Sequence, residues 1–327
     1  MIDTVLAAAQ ANLLAPAVLF FVLGAAAGAL KSDLDIPDQA AKALALYLML
    51  SIGFKGGIEA RDSGLNGDFL TAGGLGLAFS FLTPFAAYVV LRRACKLDSI
   101  TAASTAAHYG SVSLVTFAAG TEYLRAIGVE FSGHMTAVLA LMETPAILAA
   151  LLIARRPART ASSQMHTPLW REVLLNGAAV LLIGAFLVGL ATGARGETQL
   201  AGFVSGAVFY GALCFFLLDM GLVASRKLSQ SRQLKLPAIG FAVAWPALNG
   251  ALGVSAASAL GLSLGDATLF GVLAGSASYI AAPAAMRVAL PKADAGVSLP
   301  MALAITFPFN LLAGIPFYHM LARSFTG

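Results

Sequence analysis

Ten stretches of about 20 mainly apolar residues run through this chain, each long enough to cross the hydrocarbon core of a bilayer as a helix. They lie near 13–30, 41–59, 69–91, 99–119, 133–154, 169–192, 199–222, 236–262, 266–289 and 296–322. No period-two alternation recurs, so a β-barrel has no support. In lipid the other way to satisfy every backbone N–H and C=O is the α-helix. Of 327 residues, 59% are hydrophobic and 11% charged. A soluble domain carries about 25% charged residues, so an ordinary soluble enzyme is excluded. The net charge of +4 therefore speaks of topology, with no nucleic-acid partner implied. Cys95 and Cys214 form no CxxC and indicate neither a disulfide framework nor a zinc site.

No Lys or Arg precedes Lys31, so the basic segment of a signal peptide is missing. The loops after the first, third, fifth, seventh and ninth stretches hold fifteen Lys and Arg. The opposite side holds five: Lys55, Arg61, Arg125, Arg195 and Arg323. That asymmetry puts both termini outside a bacterial inner membrane, and it supports the count of ten, since adding or losing one span would mix the two sets.

The most polar connection, 155–168, reads as a cytoplasmic linker between a first five-helix repeat, 1–154, and a second, 169–327. Five spans per half mean that the second half enters the membrane inverted. Leu141–Leu148 aligns with Ile305–Leu312, setting Pro145 opposite Pro308. Phe54–Ala60 aligns with Leu218–Ala224, setting Gly57 opposite Gly221. Matched interruptions in two such halves point to a transporter binding site. The fourth span has one in His108–Gly120 and the ninth another in Ala274–Pro283, both small and hydroxyl-rich. Gly110 and Gly275 permit unwinding, and Pro283 frees the carbonyl near Tyr279. Half-helix N-termini facing each other would suit a small anion. Taken singly, each segment reads more readily as a tight helix–helix contact than as a site, and it is the matched placement in both halves that favours the site.

At these residues the chain resembles the sodium-dependent bicarbonate transporter family of cyanobacterial type, as a divergent bacterial member. The segments that carry the resemblance are Ile52–Ser63, Gly110–Gly120, Leu141–Ala146 and Gly275–Pro291. It implies an all-α polytopic membrane protein: ten transmembrane helices as a 5+5 inverted repeat, with the fourth and ninth crossed and broken. It also implies a homotrimer in membrane lipid, and in some members a cytoplasmic trimeric partner of the nitrogen-regulatory type. Carried over by position, the substrate-site residues are Gly110, Ser111, Ser113, Thr116, Gly275, Ser276 and Ser278. Sodium is the one ion the resemblance brings in. The chain departs from the pattern at Tyr279, where an Asp and natural sodium ligand is expected, and at Leu114 and Val115, where Gly and Ser are expected.

Charges inside spans cost a few kcal/mol and invite functional readings, so Lys55, Glu143 and Asp219 are the candidates for ion coupling. Inversion sets Lys55 toward the outside and Asp219 toward the cytoplasm, about 15 Å apart along the axis by a rise of ~1.5 Å per residue. Lys55 is expected to pair with Glu59 one turn on. His108 and Asn249 read as hydrogen-bonding groups between helices. No HExxH, GxSxG or paired-aspartate motif supports an intramembrane enzyme. The expected activity is cation-coupled transport of a small anion, bicarbonate first, by alternating access. The alternative is a proton-coupled or uncoupled carrier of a small organic acid anion.

Overall fold

The structure, a computed structural model, describes residues 14–63, 67–155, 177–230 and 234–326. The linker expected at 155–168 lies outside the described residues apart from Arg155, as does the beginning of the sixth span. Among the described residues every regular element is helical. In order they are α1 (Pro16–Ala29), α2 (Asp38–Ser63), α3 (Gly67–Arg93), α4 (Ser99–Gly110), α5 (Leu114–Ala126), α6 (Met135–Arg155) and α7 (Gly177–Thr192). There follow α8 (Ala194–Val204), α9 (Gly206–Gln230), α10 (Leu236–Ala259), α11 (Leu264–Ala274), α12 (Ala281–Ala289) and α13 (Ala295–Phe325).

Six of these helices, α2, α3, α6, α9, α10 and α13, are long and apolar enough to cross a membrane. Helices α1, α7 and α11 are apolar but shorter. Exposed Leu23, Leu82, Leu187 and Leu248 stud the outer faces, an arrangement that suits lipid and not water. The stretch 99–119 holds two helices, α4 and the greater part of α5, and the stretch 266–289 holds α12 and the greater part of α11. The seventh needs correction. It does not begin at 199, because Ser205 is extended and Gly206 takes φ +65°, so the spanning helix α9 starts there. The preceding residues form α8, an amphipathic helix laid on α2 through the Tyr47 hydroxyl, which donates to the Phe203 carbonyl. A helix with one polar face of this kind suits a membrane–water interface.

Two pairs of helices approach closely through glycine. A Cβ on Gly57 of α2 would lie 2.0 Å from the Phe186 carbonyl of α7. One on Gly221 of α9 would lie 2.1 Å from the Phe21 carbonyl of α1. The two glycines that the internal alignment set opposite each other thus do the same work, each drawing its helix onto a partner's backbone.

Proline is accommodated in two ways. Pro145 in α6 interrupts the helical ladder, and Ser80 of α3 fills in: its hydroxyl donates to Met142 O at 2.5 Å and accepts from Ala146 N at 3.1 Å. Around Pro308, α13 widens into π-helical turns at Met301–Thr306 and Asn310–Gly314. Such turns shift the face a helix presents and often mark functional positions. Here they bring Thr306 and Asn310 to the interior, both 0% exposed.

Candidate functional site

Helix α4 starts where the Asp98 carboxylate accepts from the N–H groups of Ile100 and Thr101, both at 3.0 Å. Burial pushes the Asp98 carboxyl up, but these bonds outweigh it and hold the group below its ordinary range. The helix stops at Gly110. Ser111 is extended (φ −82°, ψ 175°) and so is Ser113 (φ −111°, ψ 112°). Helix α5 then restarts on a serine cap, with Ser113 Oγ accepting from Thr116 N at 3.2 Å. On the other side α11 stops at Ala274, and α12 resumes at Ala281 with Ser278 Oγ accepting from Ala282 N at 3.1 Å. Pro283 is therefore in the first turn of α12, where its missing N–H costs nothing; it follows the break and does not create it. Neither Gly110 nor Gly275 has a left-handed conformation. Their smallness serves close approach, since a Cβ would meet the Pro84 ring at 2.4 Å and the Tyr318 hydroxyl at 2.2 Å respectively.

The two interruptions are bonded to each other. Ser113 N donates to Ser276 Oγ at 2.9 Å, and Ser278 N donates to His108 O at 2.8 Å. His108 Nδ1 lies 2.7 Å from Ser278 O. A carbonyl only accepts, so Nδ1 carries the proton and the ring is a donor there. Thr116 Oγ1 donates to Ser113 Oγ at 2.9 Å, and Ser111 Oγ reaches Glu143 O at 3.4 Å. The seven residues expected at the substrate site thus lie in or beside the two bonded interruptions, and the serines and Thr116 among them are at most 4% exposed.

Side chains from α10 and α13 hold the second break in shape. Asn249 Nδ2 donates to Ala274 O at 2.5 Å, and Asn310 Nδ2 to Gly275 O at 2.9 Å. Tyr318 OH lies 3.0 Å from Pro246 O and 3.1 Å from Asn310 Oδ1. Thr306 Oγ1 donates to Ala242 O at 2.6 Å and accepts from Tyr109 OH at 2.9 Å. Of these, Asn249 was expected to join helices, whereas Asn310, Tyr318 and Thr306 carried no sequence signal beyond their nearness to Pro308.

Several donors at the crossing are unspent. The N–H groups of Leu114 and Val115, in the first turn of α5, have no partner among the described residues. The Tyr279 hydroxyl is sealed from solvent, faces Ser113 and makes no hydrogen bond of ordinary geometry. A buried donor left unmatched costs about 1–3 kcal/mol. Aliphatic side chains at Leu114 and Val115 do not impoverish the site, because what those residues offer is backbone.

The ion-coupling candidates are not brought together. Lys55 is on α2, Glu143 on α6 and Asp219 on α9, and no hydrogen bond or ion pair joins any two of them. Glu143 is half-buried beside the first break. Asp219 is 5% exposed, with Asp35, Asp38 and Arg226 as its charged neighbours. Lys55 Nζ lies 3.8 Å from Glu59 Oε1, the expected partner, which Arg125 Nη2 shares at 3.8 Å. This group of charges lines a cavity of about 370 Å³ between α2, α5 and the start of α9.

The profile of one protein family, described as the Na+-dependent bicarbonate transporter superfamily, matches residues 16–323. No curated protein matches the chain. The family is one of membrane transporters and not of enzymes, in keeping with the apolar helices. With nearly the whole described chain covered by that match, this multi-pass membrane protein belongs to the Na+-dependent bicarbonate transporter superfamily.

Proposed function

We propose that the protein is a secondary active transporter that binds a small anion, bicarbonate first, at the crossing of the two interruptions and moves it by alternating access with sodium. The observation that carries this reading is the presence of unspent donors around Ser113, among them Leu114 N–H, Val115 N–H and Tyr279 O–H. Donors without acceptors, at the N-terminus of a half-helix and away from water, are stabilised by an anion's oxygens. The fold proposed around the site is a ten-span, 5+5 inverted repeat in which α4–α5 and α11–α12 are the broken spans. The matched contacts of Gly57 and Gly221 and the bonds between the two breaks support it. The charge asymmetry supports an inner membrane location with both termini outside. Sodium travels as co-substrate in this reading, held by carbonyl and hydroxyl oxygens together with Glu143, since hard cations take oxygen ligands.

One observation favours the second reading, a proton-coupled or uncoupled carrier of a small organic acid anion. Tyr279 stands where the resembled pattern has a carboxylate, and a phenol donates where a carboxylate would hold sodium. Uptake of labelled bicarbonate into proteoliposomes, with and without an inward sodium gradient at fixed pH and voltage, separates the two. Saturable uptake that requires sodium is expected. Uptake of formate or acetate in place of bicarbonate, indifferent to sodium, would transfer the case to the second reading.

A further inference from the structure

The charged cavity beside the crossing is not explained by the crossing itself. Its walls come from α2 (Ser51, Lys55, Glu59), from α5 (Phe117, Thr121, Glu122, Arg125) and from the turn at Ser205. Helix α5 is the half-helix whose first turn holds the unspent N–H groups, so the cavity lies along the same helix, beginning one residue beyond Thr116. On the proposed orientation it lies on the outer side.

The charged groups are unequally committed. Arg125 donates to Glu122 at 2.5 Å, reaches Glu59 with its other nitrogen and rests over the Phe131 ring at 5.1 Å. Lys55 has only the 3.8 Å contact with Glu59, beyond hydrogen-bond distance, and its ammonium makes no hydrogen bond among the described residues. One turn earlier on the same helix face, Ser51 is 0% exposed and its hydroxyl has no partner. Residues four apart on a helix are neighbours. The cavity wall thus carries the unmatched hydroxyl of Ser51 and, one turn on, an ammonium with no hydrogen bond among the described residues, donors of the kind a carboxylate-like anion takes. Glu197 acts on both Lys55 and Glu59, and Asp62 acts on Glu59.

We propose that Ser51 and Lys55 form a second anion subsite, an outer-vestibule station that takes the same bicarbonate or small carboxylate on its way to the crossing. This rests on the transport reading above for its substrate class. An arriving anion displaces Glu59 from Lys55, and Glu59 keeps Arg125. Competition from Glu59 makes the station weak, which a transit site requires, because tight binding there would hold the substrate back. The assignment predicts opposite signs for two neighbouring charges. Lys55→Met raises the KM for bicarbonate about tenfold and Ser51→Ala raises it severalfold, while Glu59→Gln lowers it at least twofold. Simple damage to a structural ion pair would move both charge variants in the same direction.

The test pairs uptake KM with a binding readout that needs no transport. Purified protein is titrated with sodium bicarbonate against sodium chloride, and the half-saturating concentration for the rise in thermal-unfolding midpoint is measured. The variants are Lys55→Met, Glu59→Gln and the pair Ser113→Ala/Ser278→Ala. Opposite shifts in the two charge variants support the station. Loss of binding in the serine pair with neither charge variant shifted overturns the station and leaves the crossing intact. The reverse pattern keeps the station and removes the crossing. No shift in any variant, or the same shift in both charge variants, overturns the station.

Discussion

Tyr279 concentrates the chemistry of the site in one hydroxyl. Its ring packs edge-on against Phe307, centroids 5.3 Å apart, so the phenol is held in place with its O–H toward Ser113. Tyr279→Phe removes one donor and nothing else of consequence. Without substrate the variant is expected to be more stable, by about 1 kcal/mol, because an unmatched buried hydroxyl has gone. With substrate it is expected to bind bicarbonate about tenfold more weakly, as loss of a hydrogen bond to a charged group costs about 1.5–3 kcal/mol. Thermal unfolding without anion and uptake KM measure the two halves; an unchanged KM would take Tyr279 out of the site. The position was legible in the sequence as a departure from a resembled pattern, but its consequence was not. A Tyr in place of an Asp reads as a lost cation ligand, and only the three-dimensional setting reveals a donor awaiting an acceptor.

At the level of elements, the two interruptions were legible because Gly and Ser cluster where backbone leaves the helix. What braces them was not. Asn310 and Thr306 sit in π-helical turns of α13, and each such turn shifts the register of the residues that follow. The 3.6-residue period then no longer tells which side chains face inward. The start of α9 was misread for a related reason. Residues 199–204 are apolar enough to extend the span, and hydropathy carries no information about a left-handed Gly206. Asn310→Leu tests the brace. It strands the Gly275 carbonyl and removes the Tyr318 hydroxyl's alternative acceptor in a buried site, so stability should fall by about 1–3 kcal/mol. Asp98→Ala at the start of α4 should cost about 1 kcal/mol through loss of a cap, with uptake preserved. Melting of the purified variants gives both values. An Asn310→Leu protein as stable as the parent would deny the brace any role.

Across the whole molecule, the proposed orientation rests on the uneven placement of Lys and Arg in the sequence, and the proposed repeat on the matched contacts of Gly57 and Gly221. The proposed repeat rests in the sequence on the odd number of spans per half and on Gly57 against Gly221, although nothing in the sequence revealed that each glycine sits on a backbone carbonyl. The proposed orientation is open to direct labelling, because both native cysteines are buried. Glu197 on α8 and Ser229 near the end of α9 are exposed. In intact cells, an impermeant thiol reagent should label Glu197→Cys and spare Ser229→Cys, and in inverted vesicles the pattern should reverse. Labelling of Ser229→Cys in sealed cells would invert the whole assignment. The hydrogen bonds across the crossing have one more consequence at this scale. Ser113, Ser276, Ser278 and His108 satisfy one another, so an anion bound there as proposed competes with the protein's own hydrogen bonds. Apparent affinity then measures a difference between two sets of bonds, and a substitution that loosens the self-pairing without touching the anion's contacts would make the transporter bind more tightly.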